Sequence, residues 1–164
     1  MELNFRIHPD IDVLNAYNKL YPWIPNGNQI RPTGMNILMK ERMIDKINEE
    51  YNSMRDFILI DIFKYVFTKN KENKFQVIKN YNMKLNKFEV CRFKYEIHPD
   101  TRHYIMWYTC DKSELIDKEI NKDIRNSIYN IIKDDKFKFV WYENPKMSIP
   151  EIYHIQVFWI KNLS

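Results

Sequence analysis

Residues 102–110 read Arg-His-Tyr-Ile-Met-Trp-Tyr-Thr-Cys, and their alternation decides the fold class. In an extended chain successive side chains point to opposite faces. His103, Ile105, Trp107 and Thr109 therefore take one side, and Tyr104, Met106 and Tyr108 the other. β-Branched and aromatic residues suit a pleated, half-buried surface, so a strand is predicted here. Downstream, Ser113 can cap a helix whose stripe is Ile116, Ile120, Ile124, Ile128 and Ile131, ending near Asp134 and Asp135. Strand signals return at 137–143 and 152–160, joined by Asn144-Pro145-Lys146-Met147-Ser148-Ile149-Pro150. Upstream, 75–79 and 88–97 also read as strands, a polar loop covers 69–74, and His98-Pro99-Asp100 reads as a turn.

The half of the chain before these strands is helical. From residue 36 to 50, Ile37, Met39, Met43, Ile44, Ile47 and then Tyr51 fall at helical spacing. Ser53 with Asp56 makes an N-cap with an acidic first turn. Residues 55–67 after it are apolar on nearly every side, which predicts a buried helix. The opening is broken by Pro9, Pro22, Pro25, Pro32 and Asn26-Gly27-Asn28, so 1–32 reads as a proline-rich arm with one short helix near 11–20. Tyr17, Tyr21 and Trp23 give that arm apolar mass to pack down with. The order implies one α+β domain over 1–164: a mostly antiparallel sheet packed against N-terminal helices and one crossover helix. Ile-His-Pro-Asp occurs at Ile7 and again at Ile97, but without wider self-similarity it does not mark a repeat.

The totals narrow the function. A chain of 164 residues buries about two-thirds of its unfolded surface. Aromatic residues make up 15% and glycines number only 2, so Gly27 and Gly34 cannot build a phosphate-cradling loop. That excludes the Walker and dinucleotide-binding architectures. A net charge of +4 permits a polyanionic partner without demanding one. Cys91 and Cys110 are too few for a disulfide framework and lack CxxC spacing, so two reduced thiols are expected. The first residues form no apolar signal core, and no apolar run approaches the ~20 residues of a membrane span. The expectation is a soluble, cytoplasmic protein with no membrane partner, no metal and no cofactor. The Asn/Ile/Lys bias resembles that of an AT-rich genome, such as a large DNA virus or a protist, so a viral protein is an expectation from codon usage alone.

Three stretches, taken together, resemble a known family. They are Tyr51-Asn52-Ser53-Met54-Arg55-Asp56-Phe57-Ile58-Leu59, His103-Tyr104-Ile105-Met106-Trp107, and Val140-Trp141-Tyr142-Glu143-Asn144-Pro145 running on to Ser148-Ile149-Pro150 and His154-Ile155-Gln156-Val157-Phe158. In this order they resemble the N-acetylglucosamine-induced protein 1 family, a fungal-type domain of unknown function, over residues 30–160. The resemblance implies that His103, Trp107, Asn144, Pro145, Ser148, Pro150 and His154 occupy signature positions. The chain departs from the family pattern at Gln156, where a second histidine is common, and at Asn52, where glycine is common. The family name records an induction condition and implies no reaction.

The alternation places His103 with Trp107, His154 with Gln156, and Phe137, Phe139, Trp141 and Glu143 together, each set on one face of its strand. If these strands are neighbours, two imidazoles, a glutamine, a glutamate and two indoles line one concave surface. Beside it, two prolines stiffen a loop that presents Asn144 and Ser148. The expected ligand-binding set is Arg102, His103, Trp107, Trp141, Glu143, Asn144, Ser148, His154 and Gln156. The competing reading makes the aromatics core and each histidine a hydrogen-bonded edge residue.

The set suits a binding module for a small phosphorylated or nucleotide-like ligand, such as a nucleotide or nucleotide sugar. Rings stack on bases at roughly 1–3 kcal/mol each, and Arg102 can meet phosphate. Trp107 and Trp141 with Glu143 also match the chemistry that holds a methylated guanine, which would make an RNA 5′ end a partner. A phosphoester hydrolase or transferase using His103 and His154 is the catalytic alternative. Ile105 and Gln156 stand where such enzymes carry a hydroxyl or a third histidine, which argues for binding over catalysis. His98 and His103, with Asp100 and His154, lack metal-ligand spacing. A non-catalytic protein-interaction domain is the remaining alternative.

Overall fold

The computed structural model describes residues 3–78, 84–145, 147 and 149–162. In chain order its elements are β1 (Asn4–Arg6), α1 (Ile11–Leu20), α2 (Met35–Glu50), α3 (Met54–Asp61), β2 (Phe67–Lys69), β3 (Phe75–Val77), β4 (Asn86–Val90), β5 (Arg102–Tyr108), α4 (Asp117–Ile132), β6 (Phe137–Tyr142) and β7 (His154–Lys161). The fold is α+β. A five-stranded sheet runs β1-β6-β7-β5-β4, with a separate β2-β3 ribbon. Only the β1–β6 pair of the large sheet is parallel. The chain leaves β5, passes through α4 and returns as β6 on the far side of β7, so α4 is the expected crossover helix.

Local chemistry explains most boundaries. The Asp10 carboxylate accepts the N–H groups of Asp12 and Val13, at 2.9 and 3.4 Å, and starts α1. The Ser53 hydroxyl accepts from Asp56 N–H at 3.0 Å and starts α3. The expected buried helix to residue 67 stops at Asp61, because Lys64 takes a left-handed φ of 60° and turns the chain into β2. The expected strand over 88–97 ends at Val90. Ser113 does not cap α4. It sits in a short 3₁₀ turn, Lys112–Glu114, where the Asp111 N–H donates to Glu114 Oε2 at 3.1 Å, and α4 begins at Asp117. Of the predicted stripe, Ile120, Ile124 and Ile128 are buried, while Ile116 and Ile131 are exposed. The two copies of Ile-His-Pro-Asp build the same turn: His8 Nδ1 accepts from Asp10 N–H, and His98 Nδ1 from Asp100 N–H, both at 3.2 Å.

The inner strands of the sheet, β5, β6 and β7, are buried on both faces. Ile120, Ile124 and Ile128 of α4 cover one, packing on Met106, Tyr108, Phe139, Trp141, Val157 and Trp159. The other lies under two units. The arm, through Leu14, Trp23 and Ile24, covers Val140, Tyr142 and Phe158. Ile47 of α2 with Met54, Phe57 and Ile58 of α3 covers Trp107. Among the described residues no helix is long and apolar enough to cross a membrane.

Candidate functional site

Strand register brings together part of the predicted set and separates the rest. On β5 and β7, His103 pairs with Phe158, Ile105 with Gln156, and Trp107 with His154. Directly opposed residues of antiparallel strands share a face. His103, Trp107, His154 and Gln156 therefore stand on one surface, that under α2, α3 and the arm. Trp141 pairs with Val157, which turns it to the α4 face. The expectation that both indoles line one surface is thus overturned. Trp141 is 0% exposed, its Nε1 donates to Asn121 Oδ1 at 2.7 Å, and the Arg6 guanidinium lies 5.4 Å from its ring centre.

Glu143 also leaves the set. Its carboxylate ion-pairs with Lys112 at 2.8 Å and Arg6 at 3.5 Å, and accepts from the Tyr153 hydroxyl at 2.8 Å. Burial alone would raise its carboxyl; the Lys112 and Tyr153 hydrogen bonds and the Arg6 charge outweigh that and hold it below the usual carboxylate range. Arg102 lies 4.9 Å over the Trp159 ring on the α4 side, the opposite face of the sheet from the histidines. Ser148 falls outside the described residues.

What the first face does hold is a cavity of about 100 Å³ between the sheet and helices α2 and α3. Ile105 and Trp107 form its floor; Met43, Ile44, Phe57 and Ile58 form much of its apolar wall. Its polar lining comes mainly from Lys40, Cys91, Tyr95, Asn144, His154 and Gln156. Arg92 also lines it, but is held by ion pairs to Asp61 at 2.5 Å and Glu89 at 3.7 Å. Lys40 makes no ion pair with a described residue, and burial lowers its pKa.

Each histidine has a defined tautomer, because a carbonyl oxygen can only accept. His154 Nδ1–H donates to the Ile152 carbonyl at 3.0 Å, so Nε2 carries the lone pair. Its ring lies 4.6 Å from the Trp107 indole. His103 Nε2–H donates to Gln156 Oε1 at 2.6 Å, and its Nδ1 is buried without a hydrogen-bond partner. With Oε1 engaged by that bond, Gln156 lines the cavity. Gln156, where the chain departs from the resembled pattern, is thus the hydrogen-bond partner of His103 and not of His154. His103 stacks on Phe158 at 4.3 Å and meets the edge of Tyr95 at 4.5 Å. Burial pushes its pKa down to about 4, against a smaller opposing effect of the Gln156 hydrogen bond. Burial lowers His154 as well. Both imidazoles are neutral at pH 7.

The Cys91 thiol donates to the Phe93 carbonyl at 3.3 Å, and burial raises its pKa, so it is no thiolate nucleophile. Tyr95 is hydrogen-bonded to Asn144 and burial raises its pKa well above the usual phenol value. His103 and His154 stand four residues apart along the β5–β7 ladder, about 13 Å at 3.3 Å per residue, and cannot act on one phosphorus atom. Among the described residues no three His, Cys, Asp or Glu side chains stand together as metal ligands.

Sequence reasoning missed Lys40 and the helical wall. A signal was present: Lys40, Ile44 and Ile47 follow the i, i+4, i+7 spacing of one helix face, so a lysine interrupts a buried stripe.

No family model matches the chain, and no curated protein does. Among solved structures it is similar to the crystal structure of HTC1, with a TM-score of 0.44 and 10% sequence identity over 95% of this chain and 85% of that one.

Proposed function

We propose that the protein is a binding module for a small anionic ligand, phosphorylated or nucleotide-like, held in the cavity beneath α2 and α3. One observation carries this reading. An apolar chamber is lined by Lys40, a cation with no ion pair to a described residue, by Gln156, and by His154, whose Nε2 carries the lone pair. Two donors and one acceptor match a phosphate monoester, which accepts from Lys40 and Gln156 and donates its remaining proton to His154. Trp107 and Ile105 offer a flat apolar floor for a ring.

The chamber is smaller than the ~300–1,000 Å³ of drug-sized sites, which restricts the buried part of the ligand to a base-sized ring or less. A methylated cap needs a ring above and below. Trp141 lies on the opposite face, so that member of the class loses its support. The phosphoesterase reading loses its support with the separation of His103 from His154. Cys91 and Cys110, both free, favour a reducing, cytoplasmic setting. The resemblance to the N-acetylglucosamine-induced protein 1 family rests on the motifs quoted above; of its seven signature positions, Trp107, Asn144 and His154 line the chamber.

A thermal-shift screen against inorganic phosphate, nucleoside monophosphates and nucleotide sugars tests the proposal. A ligand-specific rise in Tm is expected in the wild type. Lys40→Met should weaken binding tenfold or more, since hydrogen bonds to charged groups contribute about 1.5–3 kcal/mol. Ile44→Phe should abolish binding by filling the chamber. A shift that survives undiminished in both variants, or a flat response to the whole panel, overturns the reading.

A further inference from the structure

The β4 edge of the large sheet is self-complementary. Among the described residues β4 bonds only to β5, and the positions of its bonds are known: Cys91 N–H donates to the His103 carbonyl and Thr109 N–H to the Leu85 carbonyl, each at 3.0 Å. In an antiparallel ladder the bonding positions alternate. Lys87 and Glu89 therefore spend their backbone groups on β5, while those of Asn86, Phe88 and Val90 point outward, where no described backbone group pairs with them. We propose that two copies of this chain associate through these edges, antiparallel about a two-fold axis at Phe88, to make one continuous ten-stranded sheet.

The charges select that register. Centred on Phe88, all five residues pair, and Lys87 of each copy stands opposite Glu89 of the second copy. These are non-hydrogen-bonded positions, where side chains approach most closely. The neighbouring registers with the same outward bonding centre on Lys87 or on Glu89 and set like charges face to face. The ion pairs form on the cavity face, the side of Ile105 and Trp107. On the α4 face Phe88, stacked on Tyr104 at 4.6 Å, meets its own copy, and Val90, which is 60% exposed, gains cover. Residues of α2 and of the Val90–Arg92 turn wall the same cavity. A five-residue edge is far smaller than a standard interface of about 1,600 Å², so the association is weak and concentration-dependent.

Light scattering after size exclusion, over concentrations reaching about 1 mM, reads the assembly directly. The wild type should rise from the mass of one chain towards two. Lys87→Glu and Glu89→Lys should each weaken the dimer at least tenfold, and the double exchange Lys87→Glu/Glu89→Lys should restore it. Hydrogen exchange adds a position-specific readout: the Phe88 and Val90 amides slow as concentration rises, while those of Lys87 and Glu89, already bonded to β5, do not change. A single-chain mass at every concentration overturns the proposal. So does a dimer indifferent to either charge reversal, or one the double exchange fails to restore. None of these outcomes depends on whether the cavity binds a ligand.

Discussion

The two faces of one sheet carry similar residues to different ends. Under α4, the aromatic side chains are filler with their polar tips largely spent: Trp141 on Asn121, and Tyr108 on Asp123 at 2.9 Å, with Trp159 Nε1 the exception. Under α2, α3 and the arm, the sheet presents His154, Gln156 and Trp107 to a space that the helices leave unfilled, with His103 bonded to Gln156 behind them. Burial of aromatics marks both faces alike. What distinguishes the second is polar atoms turned towards a void, a costly arrangement in a core unless something occupies it.

The strongest way to break this contrast is Trp141→Ala. A fully buried indole with a bonded Nε1 should cost about 3–5 kcal/mol when truncated, read as a lower urea midpoint. A variant of wild-type stability that had lost ligand binding would return Trp141 to the site and undo the division between faces.

Acid separates the faces next. His103 titrates near 4 in the folded chain but near 6.5 when unfolded, so between those values the unfolded state binds the extra proton. Stability therefore falls as pH drops from about 6.5 to 4, by about 3 kcal/mol, and levels off below. His154, also lowered, steepens the same window. Glu143 on the other face has a folded pKa below the ordinary carboxylate value of 4.5, so its contribution holds until the pH falls under that value. Unfolding free energies from pH 7 to 4 should slope in the wild type and flatten in His103→Gln. An equal slope in both would mean that His103 is not held neutral.

Much of the fold follows from periodicity. α1 spans Ile11–Leu20, between the breakers that bound it, and β5, β6 and β7 lie where alternation puts them. β1 and β2, three residues each, are too short to show a period. The site is harder to read, for a geometric reason. Alternation assigns faces within a strand, but relating two strands requires register. Nothing local to Trp141 says that it pairs with Val157 and not with a neighbour one position away, and a slip of one residue would move it to the cavity face. His103 and Gln156 meet because 105 pairs with 156, a distance of 51 positions along the chain that no motif encodes.

The finest test compares adding volume to each face. Val157, under α4, is 0% exposed among Ile124, Trp141 and Trp159, so Val157→Phe forces neighbours off their rotamers at about 1–3 kcal/mol. Ile44 borders open space, and Ile44→Phe carries its ring into the chamber over Trp107. The ring gains apolar cover and displaces no packed side chain, so stability should hold or rise by about 0.5–1 kcal/mol. Thermal melts of the two variants in parallel decide it. Equal losses would mean that the chamber closes in solution and that the second face is packed as tightly as the first.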